Sequence, residues 1–313
     1  MNLTDKIYVS GHNGMVGSAI VRELKRIGFE NIIVKSRQEL DLGNQKATED
    51  FFAYEKPDYV FAAAALVGGI WANMHGHAHF LMDNLRMQCN LIDSSYKNNV
   101  KKLLFLGSSC IYPKDALQPL SENALLTGPL EPTNEGYAIA KIAGVKLCEY
   151  YNKQYNVDFI SLMPCNLYGY NDNFDPLQSH MLPALIRKFH EAKLEQAESV
   201  TVWGTGKVYR ELLFVDDLAK ACIFAMKNYS GSEFLNVGYG EDFTISEIAN
   251  MIKNITGYEG SIVYDSTKPD GMFRKIMDSS KIKALGWKPE FSIQSGLKLT
   301  YDWYMSQGNC TRH

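Results

Sequence analysis

The chain has 313 residues, with 32 Lys and Arg, 35 Asp and Glu and a formal net charge of -3, and 46% of its residues are hydrophobic. This length allows a large core without disulfides, and a nearly balanced charge gives no electrostatic attraction to nucleic acid or to an anionic membrane. The six cysteines form no CxxC pair and no apolar run suits a signal peptide or a transmembrane helix, so we expect no zinc site, no disulfide framework and a cytoplasmic protein.

The first half of the chain alternates short apolar runs with amphipathic segments. Strands are predicted at 7–10, 32–34, 59–63, 103–106 and 159–163, and apolar residues at 3-to-4 spacing predict helices at 16–26 and 81–98. A regular alternation of strand and helix favours crossover units with a parallel sheet. The predicted fold is therefore α/β, with a doubly wound parallel sheet of the Rossmann type.

After residue 168 the pattern is less regular. A polar, turn-prone segment at 169–176 precedes helices predicted at 181–193, after 215–217, at 246–255 and at 292–304, and strands predicted at 200–203 and 234–237. These elements predict a second, smaller α/β domain for the substrate. We expect residues 1–167 plus about 211–238 to form the cofactor-binding domain, and about 168–210 plus 239–313 to form the substrate-binding domain.

Gly11, Gly14 and Gly17 directly follow the first predicted strand and precede a helix. Glycines at this spacing permit a tight turn, a close approach of the backbone to a pyrophosphate and close packing of the helix on the sheet, while the helix N-terminus offers unpaired N–H groups. An ordinary glycine-rich turn would not need all three glycines in this register. The motif therefore predicts a dinucleotide site at the first strand-to-helix turn.

The end of the second predicted strand bears on the choice between NAD(H) and NADP(H). An Asp or Glu there would bind the ribose 2′-hydroxyl of NAD, but the sequence reads Lys35-Ser36-Arg37 and has no acidic residue before Glu39. Arg37 can bind a 2′-phosphate through charge-assisted hydrogen bonds. The sequence favours NADP(H), with a solvated surface arginine as the alternative.

Tyr137 and Lys141 lie four residues apart, which places them on one face of a predicted helix. An ammonium close to a phenol lowers the pKa of the phenol and suits it to proton transfer near neutral pH. Tyr-x-x-x-Lys is also common on surface helices. Ser108 favours the catalytic interpretation, because it follows a predicted parallel strand at the edge of the sheet where ligands bind.

These motifs occur together with the segments 67–70, 103–113, 130–148, 166–169 and 268–271. In combination, and over most of the chain, they resemble the extended short-chain dehydrogenase/reductases that act on nucleotide sugars. The resemblance is greatest to members that epimerise C3 and C5 of a GDP-linked 4-keto-6-deoxy sugar and reduce its C4 keto group with NADPH. It implies a homodimer formed through helices 81–98 and 137–155.

The resemblance also implies two groups of catalytic residues. Ser108, Tyr137 and Lys141 match the reductase triad, in which the tyrosine protonates the C4 oxygen as hydride arrives. Cys110 and His180 match the acid and base of epimerisation. This chemistry is reasonable, because a 4-keto group acidifies the C3 and C5 hydrogens, and inversion needs one group to remove a proton and another to return it on the opposite face.

Further residues are assigned to binding. Those expected around the cofactor are Gly11, His12, Asn13, Gly14, Met15, Val16, Gly17, Arg37, Leu106, Gly107, Ser109, Lys141, Pro164, Asn166, Leu167 and His180. Those implied around the substrate are Lys188, Trp203, Arg210 and Asp270. Lys188 and Arg210 can bind a pyrophosphate, and Trp203 offers a stacking face. Surface charges, a core aromatic residue and a small buried cysteine are the purely structural alternatives.

Asn13 departs from this pattern, and Leu66 replaces a commonly polar position; a run of histidines is a separate feature. Family members often carry a basic residue where Asn13 stands, so part of the contact to a 2′-phosphate is absent. His75, His77 and His79 would share one face of a strand and could then bind a metal. A helical pattern begins at these residues and no carboxylate cluster accompanies them, so we expect no metal site.

Three other functions remain open. A nucleotide-sugar 4-epimerase or 4,6-dehydratase would keep NAD bound, and a dehydratase would need carboxylates where Cys110 stands. A reductase without epimerase activity would use Ser108, Tyr137 and Lys141 alone. A non-enzymatic NADP-sensing module would have no use for the predicted catalytic residues.

Overall fold

The computed structural model describes residues 1–175, 179–268 and 270–307, so Pro176, Pro269 and Cys310 lie outside the described residues. The strands are β1 (Ile7–Ser10), β2 (Ile32–Ile33), β3 (Tyr59–Ala62), β4 (Lys102–Leu106), β5 (Phe159–Pro164), β6 (Asn166–Tyr168), β7 (Ser199–Trp203), β8 (Tyr209–Phe214), β9 (Leu235–Val237), β10 (Asp242–Thr244) and β11 (Ser261–Asp265). The helices are α1 (Met15–Arg26), α2 (Gln45–Glu55), α3 (Ile70–His75), α4 (His77–Lys97), α5 (Glu135–Tyr155), α6 (Met181–Leu194), α7 (Val215–Asn228), α8 (Ile245–Thr256), α9 (Ser280–Ala284) and α10 (Ile293–Ser306).

A six-stranded sheet in the order β2-β1-β3-β4-β5-β9 organises the first part of the fold, and its strand pairs are all parallel. Helix α1 packs with α7, and α4 packs with both α2 and α5. Burial on both faces explains the nearly continuous apolar sequences of β1, β3 and β4. The predicted doubly wound parallel sheet is confirmed. Its strand order changes direction at β1, which places a crevice at the carboxyl ends of β1 and β3.

A second apolar cluster lies around smaller sheets. Strand β8 pairs with β6 in parallel and with β10 antiparallel, and β7 pairs with β11 in parallel. The side chains of β8 alternate, so Leu212 and Phe214 belong to the second cluster, whereas Leu213 belongs to the first. The predicted division into 1–167 plus about 211–238 and about 168–210 plus 239–313 stays a prediction, supported by the two clusters.

Several elements differ from the sequence-based expectation. Helix α4 begins four residues earlier than the predicted 81, and the elements α2, β6, β8, β10, β11 and α9 were not predicted individually. Strand β8 is the most important of these for function. Its first half, Tyr209-Arg210-Glu211, is polar and charged, and the alternation that identifies a half-buried strand becomes visible only when both apolar clusters are known.

The histidine run does not form a strand. His75 ends α3, while His77 and His79 lie in the first turn of α4. Across the described residues, no group of three or more His, Cys, Asp or Glu side chains is arranged to hold a metal ion. Among the same residues, none of the helices has both the length and the apolar character needed to cross a membrane.

Candidate active site

The glycine turn after β1 is built by close backbone contacts. Gly11 has a φ of +71°, and a Cβ atom on Gly17 would lie 2.2 Å from the carbonyl oxygen of Gly11. The amide of Gly14 donates to that same carbonyl at 2.9 Å, which closes the turn. Helix α1 then begins at Met15 with Gly14 as its N-cap and without a side-chain cap, so its first N–H groups stay available for an anion.

These residues fit a dinucleotide. The glycines leave space where a side chain would block a pyrophosphate, and Asn13, Met15 and Val16 complete the turn and the first turn of α1. His12 lies in the same turn, and its Nδ1 atom is buried without a hydrogen-bond partner in the described structure. An unpaired buried polar atom at this place is consistent with a site that a ligand completes.

The tip of β2 presents a cation without a competing acid. Glu39, the nearest acidic residue, accepts hydrogen bonds from the backbone N–H of Ser36 at 2.8 Å and from its hydroxyl at 2.7 Å. These bonds lower the pKa of Glu39, so it stays ionised within its own turn. Arg37 is exposed and makes no ion pair with any residue that the structure describes. Its guanidinium is therefore available to a 2′-phosphate.

Replacing Arg37 with alanine is expected to raise KM for NADPH by about 10- to 100-fold, because charge-assisted hydrogen bonds to the 2′-phosphate are lost. KM for NADH should stay unchanged, since NADH lacks this phosphate. The matched control is Arg26→Ala at the other end of α1, where Arg26 pairs with Glu23. Equal loss of affinity for both cofactors would mean that Arg37 does not contact the 2′-phosphate.

The remaining predicted cofactor residues gather at the carboxyl ends of neighbouring strands. They are Leu106 at the end of β4, Gly107 and Ser109 just beyond it, Pro164 at the end of β5, and Asn166 and Leu167 in β6. A Cβ atom on Gly107 would lie 2.1 Å from the sulfur of Met163, so a larger residue there would have to displace the Met163 side chain. These positions border the crevice that the strand order predicts.

The structure brings Ser108, Tyr137 and Lys141 together. The Nζ atom of Lys141 donates to the carbonyl oxygen of Leu106 at 2.8 Å and lies 5.8 Å from the ring centroid of Tyr137. The phenol ring packs edge-on against Phe80 with ring centroids 6.5 Å apart. Ser108 follows β4, and its hydroxyl favours the phenolate of Tyr137 by hydrogen bonding.

The expected lowering of the pKa of Tyr137 is not found. Burial raises the pKa of the phenol, and the nearby Cys110 raises it further, while Ser108 opposes the shift only in part. Lys141 directs its ammonium to the backbone of Leu106, and burial lowers its own pKa to about 8. Tyr137 is therefore protonated at neutral pH, which is the state needed to donate a proton to a ketone oxygen.

Cys110 and His180 lie at the same cleft. Cys110 is in a short 3-10 turn directly after Ser108 and is buried, which raises the pKa of its thiol, while the charge of Lys275 lowers that pKa. His180 precedes α6 and is exposed at the mouth of the cleft, yet nearby protein atoms and Lys275 together lower the pKa of its imidazole. Both groups are therefore neutral near pH 7.

Lys275 is the site residue that sequence reasoning missed. Its ammonium influences the pKa values of Cys110, His180 and Cys165, and its own pKa is lowered by burial and then raised by the nearby Cys110. No local pattern indicates it, because the described residues among 266–268 and 270–279 form no long helix or strand. The adjoining 268–271 motif, which resembles the family pattern, is the sequence signal nearest to Lys275.

The predicted substrate residues form two contacting pairs. Lys188 donates to the carbonyl of Thr201 at 3.4 Å and lies 5.3 Å from the ring centroid of Trp203, which is 63% exposed. Lys268 lies 5.4 Å from the same ring. An exposed aromatic face beside two cations suits a ring-bearing anion such as a nucleotide.

Arg210 and Asp270 form the second pair. The guanidinium of Arg210 donates to the carbonyls of Tyr209, Met272 and Asp270 at 2.6, 2.7 and 3.2 Å. The carboxylate of Asp270 accepts from the backbone and hydroxyl of Thr205 at 2.7 and 2.8 Å. Asp270 is thus engaged within the protein, and its remaining lone pairs are what it could offer to a ligand.

A parallel doubly wound sheet, a glycine turn after its first strand, and a Ser-Tyr-Lys group at the ends of its strands define a nicotinamide-dependent enzyme of the short-chain dehydrogenase/reductase class. The model of the NAD dependent epimerase/dehydratase family matches residues 7–238. The chain belongs to this family, which confirms the resemblance seen in its motifs.

Individual relatives are similar over nearly the whole chain. A putative GDP-L-fucose synthase of Arabidopsis thaliana is 59% identical, with 96% of this chain and 92% of the relative covered. A GDP-mannoheptose C4 reductase from Campylobacter jejuni with NADP bound is 44% identical, with a TM-score of 0.90 and coverage of 97% and 99%. A GDP-L-fucose synthetase from Naegleria fowleri bound to NADP is 28% identical, with a TM-score of 0.94 and coverage of 100% and 96%.

Proposed function

We propose that this protein converts GDP-4-keto-6-deoxy-D-mannose to GDP-L-fucose by epimerisation at C3 and C5 and NADPH-dependent reduction at C4. The observation that carries the proposal is the coexistence of two catalytic groups in one cleft. Ser108, Tyr137 and Lys141 form a proton-donating group for reduction, and Cys110 follows Ser108 by two residues, with His180 at the mouth of the same cleft. The relatives named GDP-L-fucose synthase support this substrate.

NADP(H) is the cofactor. The glycine turn and the N-terminus of α1 would hold the pyrophosphate, Arg37 the 2′-phosphate, and Lys141 the nicotinamide ribose. When bound, the cofactor supplies the hydride for C4. The NADP-bound structures of relatives support this choice over NAD(H). Asn13 supplies no charge to the phosphate, so Arg37 carries that contact.

Epimerisation needs one proton to leave carbon and one to return on the opposite face. The 4-keto group stabilises the enolate that forms when a proton leaves C3 or C5. Cys110 as a neutral thiol and His180 as a neutral imidazole together hold one transferable proton, which matches this requirement. Lys275 places a positive charge near both groups and so stabilises a transient thiolate or enolate.

Reduction needs a proton at the C4 oxygen. Tyr137 is protonated and borders the cleft, and Ser108 can hydrogen-bond to both the phenol and the substrate oxygen. Lys141 remains largely charged at neutral pH with its pKa near 8, and this charge stabilises the phenolate that proton donation leaves behind. The same three residues thus place an acid and its stabilising charge beside the ketone.

The anionic substrate must be bound by local cations, because the net charge of the chain is -3. Lys188 and Arg210 are the predicted pyrophosphate contacts, and Trp203 is the predicted stacking face. Arg210 is held by backbone carbonyls of the 270–272 segment, so its guanidinium is oriented before a ligand arrives. Asp270 shares this segment.

Product analysis with purified protein tests the proposal directly. Incubation with GDP-4-keto-6-deoxymannose and NADPH should consume NADPH and yield GDP-L-fucose. Absence of NADPH oxidation would contradict the proposal. Formation of GDP-rhamnose or GDP-6-deoxytalose would keep the reductase function and remove the epimerase function, because both sugars retain the original configuration at C3 and C5.

We propose that the protein acts as a homodimer formed through α4 and α5. These helices pack side by side, and they present Met82, Ile139 and Tyr150, which are 44%, 42% and 55% exposed. Exposed apolar side chains on two neighbouring helices are typical of a protein interface. The described cysteines are all unpaired, which supports the expected location in the reducing cytoplasm.

Ile139→Glu is expected to convert the dimer into a monomer, because an unpaired carboxylate would be buried in the interface. Sedimentation or light scattering gives the mass of each variant. Tyr54→Glu on α2 is the control, since Tyr54 is 85% exposed and lies outside this pair of helices. A wild-type protein that is monomeric, or an Ile139→Glu variant that stays dimeric, would contradict the proposed interface.

A further inference from the structure

Glu211 is a fully buried carboxylate in the middle of β8, and no step of the proposed mechanism uses it. One carboxylate oxygen accepts the backbone N–H of Gly240 at 2.7 Å, and the other accepts the backbone N–H of Met277 at 2.8 Å. Gly240 follows β9, and Met277 belongs to the segment that carries Lys275. The carboxylate therefore joins three separate parts of the chain at one point.

The main chain of Glu211 makes two more contacts with the candidate site. Its N–H donates to the carbonyl of Lys275 at 3.3 Å, and its carbonyl accepts from the side-chain amide of Asn166 at 3.0 Å. Asn166 is a predicted cofactor residue. Glu211 thus contacts the segment that carries Lys275 on one side and the predicted cofactor residue Asn166 on the other.

Arg210 extends this attachment along the same strand. Successive side chains of a strand point to opposite faces, so Arg210 and Glu211 reach the same segment from different sides. Arg210 donates to the carbonyls of Met272 and Asp270, and Glu211 accepts from the amide of Met277. The backbone of Tyr209 also donates to the carbonyl of Phe273 at 2.9 Å. Residues 270–277 are therefore held along β8 by backbone and side-chain bonds together.

The carboxylate packs closely against Gly238. A Cβ atom on Gly238 would lie 2.4 Å from Oε1 of Glu211, so the carboxylate and the glycine fit each other closely. Burying a carboxylate is costly, and an apolar side chain would stabilise a core at least as well. A charged acceptor at this place is better explained by the orientation it imposes on the two N–H groups.

We propose that Glu211 is a positioning residue, whose carboxylate holds the 270–277 segment against β8 so that Lys275 and Arg210 face the nucleotide-sugar substrate. This inference rests on the proposed function, since it concerns how that substrate is held. It assigns to Glu211 no contact with the substrate itself.

The charged neighbours of Glu211 make its own protonation relevant. Burial raises the pKa of Glu211 to about 7. The two backbone N–H bonds and the charge of Lys283 on α9 lower this pKa but do not offset the effect of burial. Asp242 on β10 raises it further, although Arg274 pairs with Asp242 at 2.5 Å. The thiol of Cys165 is another titratable group close to it. Protonation would turn one acceptor oxygen into a donor and release one of the two N–H groups.

The Glu211→Gln variant tests the proposal through the pH dependence of KM. A glutamine offers one acceptor and one donor, so it resembles the protonated acid at every pH. At pH 8 we expect its KM for GDP-4-keto-6-deoxymannose to exceed the wild-type value by about tenfold, with kcat changed less. Below pH 6 the wild-type residue is protonated too, so the ratio of the two KM values should fall towards one.

Asp217→Asn is the matched control. Asp217 is also a buried carboxylate that accepts two backbone N–H groups, those of Glu290 and Phe291 at 2.9 and 3.1 Å, but these residues lie outside the 270–277 segment. This variant should unfold at a lower temperature than the wild-type protein. The ratio of its KM to the wild-type KM should be the same at both pH values. If the ratio for Asp217→Asn is also about tenfold at pH 8 and falls towards one below pH 6, the proposal is overturned.

Stability and affinity should also respond to pH with opposite signs. Because burial raises the pKa of Glu211 from 4.5 to about 7, the unfolded chain loses this proton first, and the contribution of this group to the free energy of unfolding falls as pH rises between these values. Substrate affinity should instead rise with pH as Glu211 ionises in the folded protein, around pH 7. A KM that changes only in proportion to thermal stability would overturn the positioning role.

Two further outcomes are separable. If wild-type protein does not turn over the keto sugar, the proposed function fails, and GDP-mannose binding by calorimetry then tests Glu211 without catalysis. The same measurement serves if Glu211→Gln does not fold. Wild-type affinity for GDP-mannose should weaken as pH falls through about 7. This pH range lies above the lowered pKa of His180, so protonation of His180 does not account for the change. Affinity that stays constant from pH 8 to pH 6 would overturn the proposal.

Discussion

Replacing Tyr137 with phenylalanine is expected to slow C4 reduction by about 10³-fold, within the range that general acid catalysis usually contributes. The variant keeps the aromatic ring that packs against Phe80 and loses only the hydroxyl. Without this proton donor, the alkoxide that forms at C4 is left without an acid beside it. NADPH oxidation measured in single turnovers reports this step.

The same variant should still epimerise its substrate. In the proposed mechanism, proton exchange at C3 and C5 depends on Cys110 and His180, so deuterium from the solvent should enter the sugar at close to the wild-type rate. Tyr54→Phe is the control for the loss of a hydroxyl, because Tyr54 is exposed on α2. If both exchange and reduction are lost in Tyr137→Phe, the division of roles between the two groups is wrong.

Replacing Cys110 with serine is expected to suppress deuterium incorporation at C3 and C5 by about 10²- to 10³-fold. Serine is nearly isosteric, but its hydroxyl is a much weaker acid than a thiol, and the burial that already raises the pKa of Cys110 acts on it equally. Mass spectrometry or NMR of the sugar in deuterated buffer without NADPH measures this exchange separately from reduction.

Reduction of a substrate that needs no epimerisation should survive in this variant. Cys89→Ser is the matched control, since Cys89 is exposed on α4, outside the cleft. Unchanged exchange in Cys110→Ser would remove Cys110 from the epimerisation group. Loss of NADPH binding in the same variant would instead indicate a structural effect on the turn after β4, which also carries Ser108 and Ser109.

Much of the fold and of the site could be predicted from local patterns. Burial on both faces makes a parallel strand nearly all apolar, and β1 and β4 were therefore recognisable within one residue of their observed bounds. The spacing of Gly11, Gly14 and Gly17 reports a backbone contact that only glycine permits. Tyr137 and Lys141 share a helix face because of the helical period.

Other features depended on contacts between distant parts of the chain. Lys275 lies in the cleft because β8 holds the 270–277 segment there, and Glu211 had no visible purpose before its bonds to Gly240 and Met277 were known. The expected lowering of the pKa of Tyr137 was wrong for the same reason. The four-residue spacing shows that the ammonium of Lys141 is near Tyr137. It does not show how deeply the phenol is buried, or that the ammonium donates its hydrogen bond to the carbonyl of Leu106.

The sequence by itself determined the class of fold and the glycine turn, and it predicted the reductase group, because each depends on neighbours within a few residues or on one periodic face. Only the tertiary structure decided the electrostatic state of the cleft and the residues that orient its cations. Desolvation and charge act through space over several ångströms, and they bring together groups that are far apart in the chain, such as Cys110 and Lys275 or Glu211 and Met277.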